Sequence, residues 1–466
     1  MKIKFTQLLI FGATGDLASL KLFPAVFELF EQKLLPANFQ LIGFGRSELE
    51  QEKFKQLFKK AVLEKQPNVQ EKLDKLIERV FYFSGQYDNA ESFEAFSDYC
   101  QDLAKNADVE RIAYFSVPPS IFELLVKNLA DSFKKVSSCL KIVIEKPFGI
   151  DEKSAEHLFR IISENFEEKN VYLLDHFLGK KPIQSILKLR LDNNVINLMI
   201  KPSEIANIQI TAIEELDVGK RVGYYDQVGC MKDMVQSHLL QILALITMDM
   251  PLLPTIESLQ REKHNILSAV RFSGLAEDVV FGQFNSYQKL EGVQKNSQTD
   301  TFVALKLNID RRDWFNTPIY IRSGKMLNEN LTRVVIEFKK MPFQSKLERS
   351  NKLVFEMKPN ESVGLKLIQE KLTSKGNIQE DLELEQTLSC STDFCLNDYA
   401  SLIFDIMGGH KNFFLSYPEI VASWKVIDGV VKIKENGKAK LHKYVDQGNG
   451  PKEFLGLTEK QGFKWN

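Results

Sequence analysis

Cysteine is scarce in this chain, and neither sign of charge is in excess. The 466 residues hold 5 cysteines, and the closest pair, Cys390 and Cys395, lacks the spacing of zinc and redox motifs. These facts point away from a disulfide scaffold and from a cysteine-built metal site; no metal is expected, and the thiols read as reduced, as in a cytoplasmic protein. The 61 Lys and Arg balance 62 Asp and Glu, for a formal net charge of -1. A whole-surface binder of nucleic acid needs a basic excess to displace phosphate counterions, so that class is excluded and any bound anion must be met by a local cluster. The longest apolar run, 239–256, is interrupted by Gln241, Asp249, Pro251 and Pro254, too broken for a membrane span. The start of the chain, running from Met1 through Lys4 into an apolar segment and a glycine turn, reads as a first strand and not as a signal peptide. Internal repeats and low-complexity linkers are lacking as well.

What is present is ordinary globular material: 44% hydrophobic and 26% charged residues exclude disorder, collagen and coiled coil as overall descriptions. At roughly 150 residues per domain the length accommodates two to three domains, each able to bury a core. The first third alternates apolar runs with amphipathic stretches. The runs are Leu8 to Phe11, Phe39 to Phe44, Val80 to Phe83, Arg111 to Val117 and Leu140 to Ile144, with helical spacing at Leu22, Val26, Leu29 and Phe30 and a Lys/Glu-rich helical stretch from Ser47 to Arg79. The pattern predicts an α/β, Rossmann-like, doubly wound parallel sheet over 1–174. Beyond it, alternating segments at Asn207 to Ile213, Thr301 to Asp310, Pro318 to Arg322, Arg333 to Lys339 and Leu353 to Lys358 predict a larger α+β domain over 175–466. Its sheet is expected to be mostly antiparallel, with helices from Met234 to Met248 and around Ser401 to Met407 packed on it.

Gly12-Ala13-Thr14-Gly15-Asp16-Leu17-Ala18 follows the first strand and opens the first helix. A pyrophosphate needs a tight turn there, so that backbone N–H groups and the positive helix end can approach it, and Gly12, Gly15 and Ala18 suit that demand. An ordinary strand-to-helix turn is the competing reading. At the end of the second strand, an acidic residue would hold the ribose of NAD, whereas Arg46 favours the extra phosphate of NADP over a plain surface arginine. Glu145-Lys146-Pro147-Phe148-Gly149 closes the fifth strand where doubly wound sheets place ligands, and Lys146 could reach an anion there. Asp175-His176-Phe177-Leu178-Gly179-Lys180-Lys181 packs an acid, an imidazole and two ammonium groups into one turn. Asp233 and His238 lie five residues apart in a helical stretch. Oxidising an alcohol requires a base for the hydroxyl proton while hydride leaves the same carbon, and imidazole suits that task. Either histidine could be the base on these grounds, though a helical histidine such as His238, flanked by Leu239 and Leu240, is more often a satisfied core residue than a catalyst. Arg322-Ser323-Gly324-Lys325 is a last basic cluster, which alone would read as a surface turn.

In order along the chain, these motifs resemble the glucose-6-phosphate dehydrogenase family. Residues 12–18 match its Gly-x-x-Gly-Asp-Leu-Ala turn, Lys21 to Pro24 its Lys-Leu-x-Pro, 145–149 its Glu-Lys-Pro-Phe-Gly, and 175–180 its Asp-His-Tyr-Leu-Gly-Lys signature with one change. Gly223 to Asp226, Asp233 to Gln241, Arg322 to Lys325 and Gly448 to Pro451 fit too. The resemblance implies His238 as the base at the C1 hydroxyl and Asp175 as its orienting carboxylate. It implies that His176 and Lys180 hold the 6-phosphate, that Glu214 and Asp233 bind sugar hydroxyls, and that Lys146 bridges substrate and cofactor, with Lys21 and Lys325 completing the basic side. Gly12, Thr14, Gly15, Asp16, Leu17, Ala18 and Arg46 would bind NADP. The implied reaction carries hydride from C1 of glucose 6-phosphate to NADP+, giving 6-phosphogluconolactone, the entry to the oxidative pentose phosphate pathway, and the implied assembly is a homodimer.

Several positions depart from the family pattern. Phe177 replaces a tyrosine and Lys181 a glutamate, Leu173 and Leu174 replace arginine and isoleucine, and Ser237 replaces an asparagine. Asn330 stands where a second basic residue is usual, Lys358-Pro359 replaces Gln-Pro, and the usual Tyr-Glu-Arg is absent at 398–401. A second, structural NADP site is not expected. Two rival readings are another NADP-dependent sugar oxidoreductase, a class lacking the Asp-His-x-Leu-Gly-Lys signature, and a catalytically silent NADP-binding regulator.

Overall fold

The structure, a computed structural model, describes residues 5–105, 107–133, 140–340, 349–373, 376–388 and 396–466; Cys139, Cys390 and Cys395 lie outside them. The chain divides into two compact units, Met1–Lys180 with Cys390–Tyr417, and Lys181–Ser389 with Pro418–Asn466.

The first unit is built on six strands, β1 (Thr6–Phe11), β2 (Phe39–Gly45), β3 (Val80–Ser84), β4 (Glu110–Phe115), β5 (Leu140–Glu145) and β6 (Val171–Leu174). All pairs are parallel, in the order β3-β2-β1-β4-β5-β6. Crossover helices cover both faces of such a sheet, which is why all six residues of β1 are buried and Leu8 to Phe11 read as an apolar run. The five expected strands are all present. The sixth, β6, is only four residues long, too short for its run to stand out. The helical stretch from Ser47 to Arg79 is two helices, Gln51–Leu63 and Gln70–Ile77, parted around Pro67.

The helix Asp398–Gly408, expected on the second sheet, belongs instead to the first unit. Its Ala400, Leu402, Ile403, Ile406 and Met407 join the core formed by Phe23, Val26 and Phe27. Buried Lys141 reaches it as well, donating to the Ile406 carbonyl at 2.7 Å while pairing with Glu110 at 2.8 Å. An amphipathic stretch announces that it has an apolar face, not which partner will cover it.

The second unit carries β7 (Ile205–Ile213), β8 (Val270–Arg271), β9 (Val279–Phe284), β10 (Phe302–Ile309), β11 (Ile319–Gly324), β12 (Leu331–Phe338), β13 (Lys352–Lys358), β14 (Ser362–Thr373), β15 (Gly376–Thr387) and β16 (Leu441–Tyr444). The sheet runs β15-β14-β13-β12-β7-β11-β10-β9-β16, with β8 paired to β10. It is mixed: β7 pairs with β11 and β9 with β16 in parallel, and the other pairs are antiparallel, as expected for most of the sheet. The segment Met234 to Met248 comprises the end of a π-helical stretch, Met231–Leu239, and the α-helix Leu240–Thr247, every residue of which is buried. That burial explains the apolar run from residue 239, and no helix among the described residues is long and apolar enough to cross a membrane. In the same unit Lys263, on the helix Ile256–Ala269, meets Glu419 at 2.9 Å, with side-chain exposures of 2% and 0%.

Candidate active site

Strand order in the first unit reverses between β1 and β4, the switch point at which open parallel sheets leave a crevice for ligands. The Gly12 turn stands there. Gly12 N donates to Phe44 O at 2.9 Å and Gly15 N to Gly12 O at 3.0 Å, closing the turn. At Gly12 φ is +84°, and a β-carbon would stand 2.1 Å from the carbonyl oxygen of Ser116, just beyond β4. The turn is therefore a cradle that only glycine leaves open. Thr14 and Gly15 are half-buried, Asp16 is exposed, Leu17 is half-buried, and Ala18 is buried where the chain enters the helix. Arg46, just past β2, is exposed, with its guanidinium 5.9 Å from the ring of Tyr87. An open turn at a helix start and an exposed arginine just past the second strand fit NADP.

The same edge of the sheet carries the next residues. Glu145 and Leu174 are paired in register, so Lys146 and Asp175 each follow immediately, at the ends of neighbouring strands. Asp175 is fully buried and caps a tight 3₁₀ turn, accepting Phe177 N at 2.9 Å on its side chain and Leu178 N at 3.0 Å on its backbone. His176 and Lys180, both half-buried, bracket that turn, and the Lys180 ammonium lies 3.5 Å from the centroid of Phe177. The phenyl face thus receives a cation where the family carries a phenol. Lys21, exposed, lies 6.0 Å from the ring of Tyr399. Tyr399 was not singled out by sequence, yet its hydroxyl reaches Glu145 at 3.5 Å, and that of Tyr114 also donates to Glu145. Burial raises the Glu145 carboxyl from 4.5 to about 7; the charge of Asp175 adds to this, against the two tyrosine hydrogen bonds and Lys146. No local signal marks Tyr399, because its helix joins the unit from more than half the chain away.

In the second unit the parallel pairing of β7 and β11 places Ile213 beside Gly324. Glu214 and Lys325 therefore leave the sheet side by side: Glu214 N donates to Gly324 O at 2.9 Å and the two side chains form an ion pair. Asn330 holds a neighbouring turn, its amide donating to the Glu215 carboxylate at 2.7 Å and its oxygen accepting Glu215 N at 3.2 Å. Asp233 and His238 are buried on the stretch Met231–Leu239, which packs on β11. At 3.6 residues per turn, a five-residue step would leave them roughly 140° apart. The i→i+5 bonding of a π-helix brings the fifth residue back over the first. Arg221 approaches Asp233 at 3.5 Å. Of the sequence-derived residues, Gly12, Thr14, Gly15, Asp16, Leu17, Ala18, Lys21, Arg46, Lys146, Asp175, His176 and Lys180 belong to the first unit, and Glu214, Asp233, His238 and Lys325 to the second.

A parallel sheet with a glycine cradle at its switch point, joined in one chain to a mixed-sheet unit, defines a dinucleotide-dependent oxidoreductase of the two-domain kind. The profile described as "Glucose-6-phosphate dehydrogenase, NAD binding domain" matches residues 9–185, and that described as "Glucose-6-phosphate dehydrogenase, C-terminal domain" matches 187–466. The chain belongs to the glucose-6-phosphate dehydrogenase family. It is 31% identical to the glucose-6-phosphate 1-dehydrogenase of Chlamydia pneumoniae, over 98% of this chain and 95% of that protein. A glucose-6-phosphate dehydrogenase solved in complex with glucose 6-phosphate superposes with a TM-score of 0.91 at 28% identity, covering 99% of both chains. The enzyme from Mycobacterium avium superposes with a TM-score of 0.85 at 27% identity, covering 99% of this chain and 98% of that one.

Proposed function

We infer that this chain oxidises glucose 6-phosphate at C1 to 6-phosphogluconolactone with NADP+, the first step of the oxidative pentose phosphate pathway. The observation that carries this reading is the in-order match of residues 9–185 and 187–466 to the two domains of one dehydrogenase family. NADP+, when bound, accepts the hydride that leaves C1. His238 takes the proton of the C1 hydroxyl as the C1–O bond becomes a carbonyl, and Asp175 orients that imidazole and balances its charge. His176 and Lys180 hold the 6-phosphate. A dianionic phosphate raises the pKa of a contacting imidazole, which suits His176 as a charged donor and leaves His238 as the base. Glu214 and Asp233 bind sugar hydroxyls, Lys21 and Lys325 supply positive charge, and Lys146 bridges the two ligands. Gly12, Thr14, Gly15, Asp16, Leu17 and Ala18 hold the pyrophosphate side of the cofactor and Arg46 its 2′-phosphate.

The domain boundary is proposed near 174/175, with residues from 175 on binding substrate. The working assembly is proposed as a homodimer through the large sheet, supported by Leu382 and Leu384 on β15, exposed at 44% and 54%. A cytoplasmic location is supported by the free, buried thiols of Cys100 and Cys230. The test of function follows absorbance of the reduced nicotinamide with purified protein, glucose 6-phosphate and NADP+ or NAD+. His238→Ala is expected to lose about 10²- to 10⁴-fold in kcat. Parental protein no faster than His238→Ala would sink the reading, and unphosphorylated glucose turned over equally well would point to a broader sugar oxidoreductase.

A further inference from the structure

Between the helix Val222–Cys230 and the stretch that carries Asp233 and His238, the chain turns at Gly229, where φ is 68° and ψ 178°. The first amides of a restarted helix have no acceptor behind them. Here one residue from another segment supplies both acceptors. The Asp300 backbone carbonyl accepts Cys230 N at 2.8 Å, and its carboxylate accepts Met231 N at 2.9 Å. The other carboxylate oxygen takes Lys434 Nζ at 2.6 Å, and the Asp300 side chain is 7% exposed. The fit is close: a β-carbon on Gly229 would stand 2.9 Å from Asp300 Oδ1, so glycine serves both the left-handed backbone and the approach. The next residue, Thr301, accepts Lys325 N on its carbonyl at 2.9 Å, and Lys325 is the partner of Glu214. Two consecutive residues thus hold the helix bearing Asp233 and His238 in register with the strand ends bearing Glu214 and Lys325.

We propose that Asp300 is a positioning residue for C1 oxidation, clamping the first turn of the helix that presents His238 and Asp233 against the strand end that presents Lys325. Its purpose rests on the reading of His238 as the base. Asp300 touches no reacting atom; it fixes where the base stands, and electrostatic and proton-transfer steps are steep in that distance. The clamped amides, Cys230 N and Met231 N, stand about two turns before His238 on the same helical stretch, so the place of that start bears on the place of the base.

The test compares full-length parent, Asp300→Ala, Asp300→Asn, Lys434→Met and His238→Ala in kcat per folded chain, KM, NADP+ affinity and the primary isotope effect with C1-deuterated glucose 6-phosphate. Asparagine keeps an acceptor for Met231 N and loses the charge that meets Lys434; alanine loses both. Asp300→Ala is expected to lower kcat by about 10- to 100-fold, the loss that a misplacement near 1 Å brings. Its isotope effect should exceed the parental one while NADP+ affinity is unchanged, and asparagine should restore most of kcat. A merely structural role would reduce the folded fraction and leave kcat per folded chain and the isotope effect alone. Parental kcat and isotope effect in Asp300→Ala overturn the proposal, as does an asparagine variant no better than alanine. Should Asp300→Ala fail to fold, a lowered kcat with a raised isotope effect in Lys434→Met, which leaves the Asp300 carboxylate without the cation that holds it, supports the clamp, and parental values there overturn it. A fully active His238→Ala overturns the base and the clamp with it; an inactive His238→Ala beside a parental Asp300→Ala overturns the clamp alone.

Discussion

Gly12→Ala and Gly429→Ala are the same chemical change with opposite expected signs. At Gly12 the backbone is left-handed, φ +84°, and the new methyl would stand 2.1 Å from Ser116 O and 2.9 Å from Val117 Cγ1. The left-handed backbone costs a residue with a β-carbon about 1–2 kcal/mol. The carbonyl it meets directly follows β4, which is paired to β1, so neither side yields freely, and overpacking of that kind adds roughly 1–3 kcal/mol. The sum, about 2–5 kcal/mol, is a large part of a domain's stability. Gly429 lies inside the helix Tyr417–Glu435, and apart from the adjoining backbone of that helix and its two chain neighbours no atom stands within 4 Å of its would-be β-carbon. Glycine in a helix interior is worse than alanine by about 0.5–1 kcal/mol, so alanine there should stabilise by that much. Urea unfolding reads both changes, and an NADP+ titration of Gly12→Ala should show weakened binding because the displaced turn no longer approaches the pyrophosphate. A Gly12→Ala variant with parental midpoint and parental NADP+ affinity, or two substitutions of the same sign, would refute the reasoning.

Arg46→Ala should weaken NADP+ by about 10- to 100-fold, the worth of a charged hydrogen bond, and NAD+ far less; equal losses in competition assays would remove Arg46 from phosphate recognition. Lys263→Met should destabilise by about 3–5 kcal/mol by leaving the buried Glu419 carboxylate without its cation, and adding Glu419→Leu should recover much of that; a neutral single substitution in urea unfolding contradicts it. Glu145 gives a pH dependence. Its carboxyl sits at about 7 in the folded chain against an ordinary 4.5, so between those values the folded state holds a proton the unfolded state has lost. The stability it contributes is present below 4.5 and lost as pH rises through 7, so Glu145→Gln, neutral throughout, should gain on the parent from pH 5 to pH 8. A difference that does not vary with pH in denaturant titrations would count against a protonated Glu145.

Local chemistry explains why the sequence offers candidates for the site. The Gly12 turn, Arg46 and Lys146 sit at the ends of β1, β2 and β5, announced by apolar runs that stop at turn residues; the Asp175 turn follows β6, too short to stand out, and is marked by its own cluster of acid, imidazole and ammonium groups. Glu214 illustrates the limit. Its place beside Lys325 depends on the one central parallel pair, β7 with β11, in a sheet whose alternating segments read as antiparallel, and pairing direction leaves no mark in either strand alone. Asp300 and Tyr399 were not anticipated for a related reason. Each acts on residues far away in the chain, Tyr399 on Glu145 and Asp300 on Met231.

By itself, the sequence determined the period of its apolar residues and the places where glycine, proline and charge interrupt them, and hence the two kinds of sheet; its short motifs carried the resemblance to the family. Those are properties of short windows, where the 2.0- and 3.6-residue repeats of strand and helix decide which face is apolar. Tertiary structure alone decided that the helix Asp398–Gly408 returns to the first unit, that the Asp233–His238 stretch is wound as a π-helix, and that Asp300 closes its first turn. The physical reason is that each of these is a choice of partner. An apolar face, an unsatisfied amide or a buried carboxylate states what it needs, and only the packed chain settles which distant group supplies it.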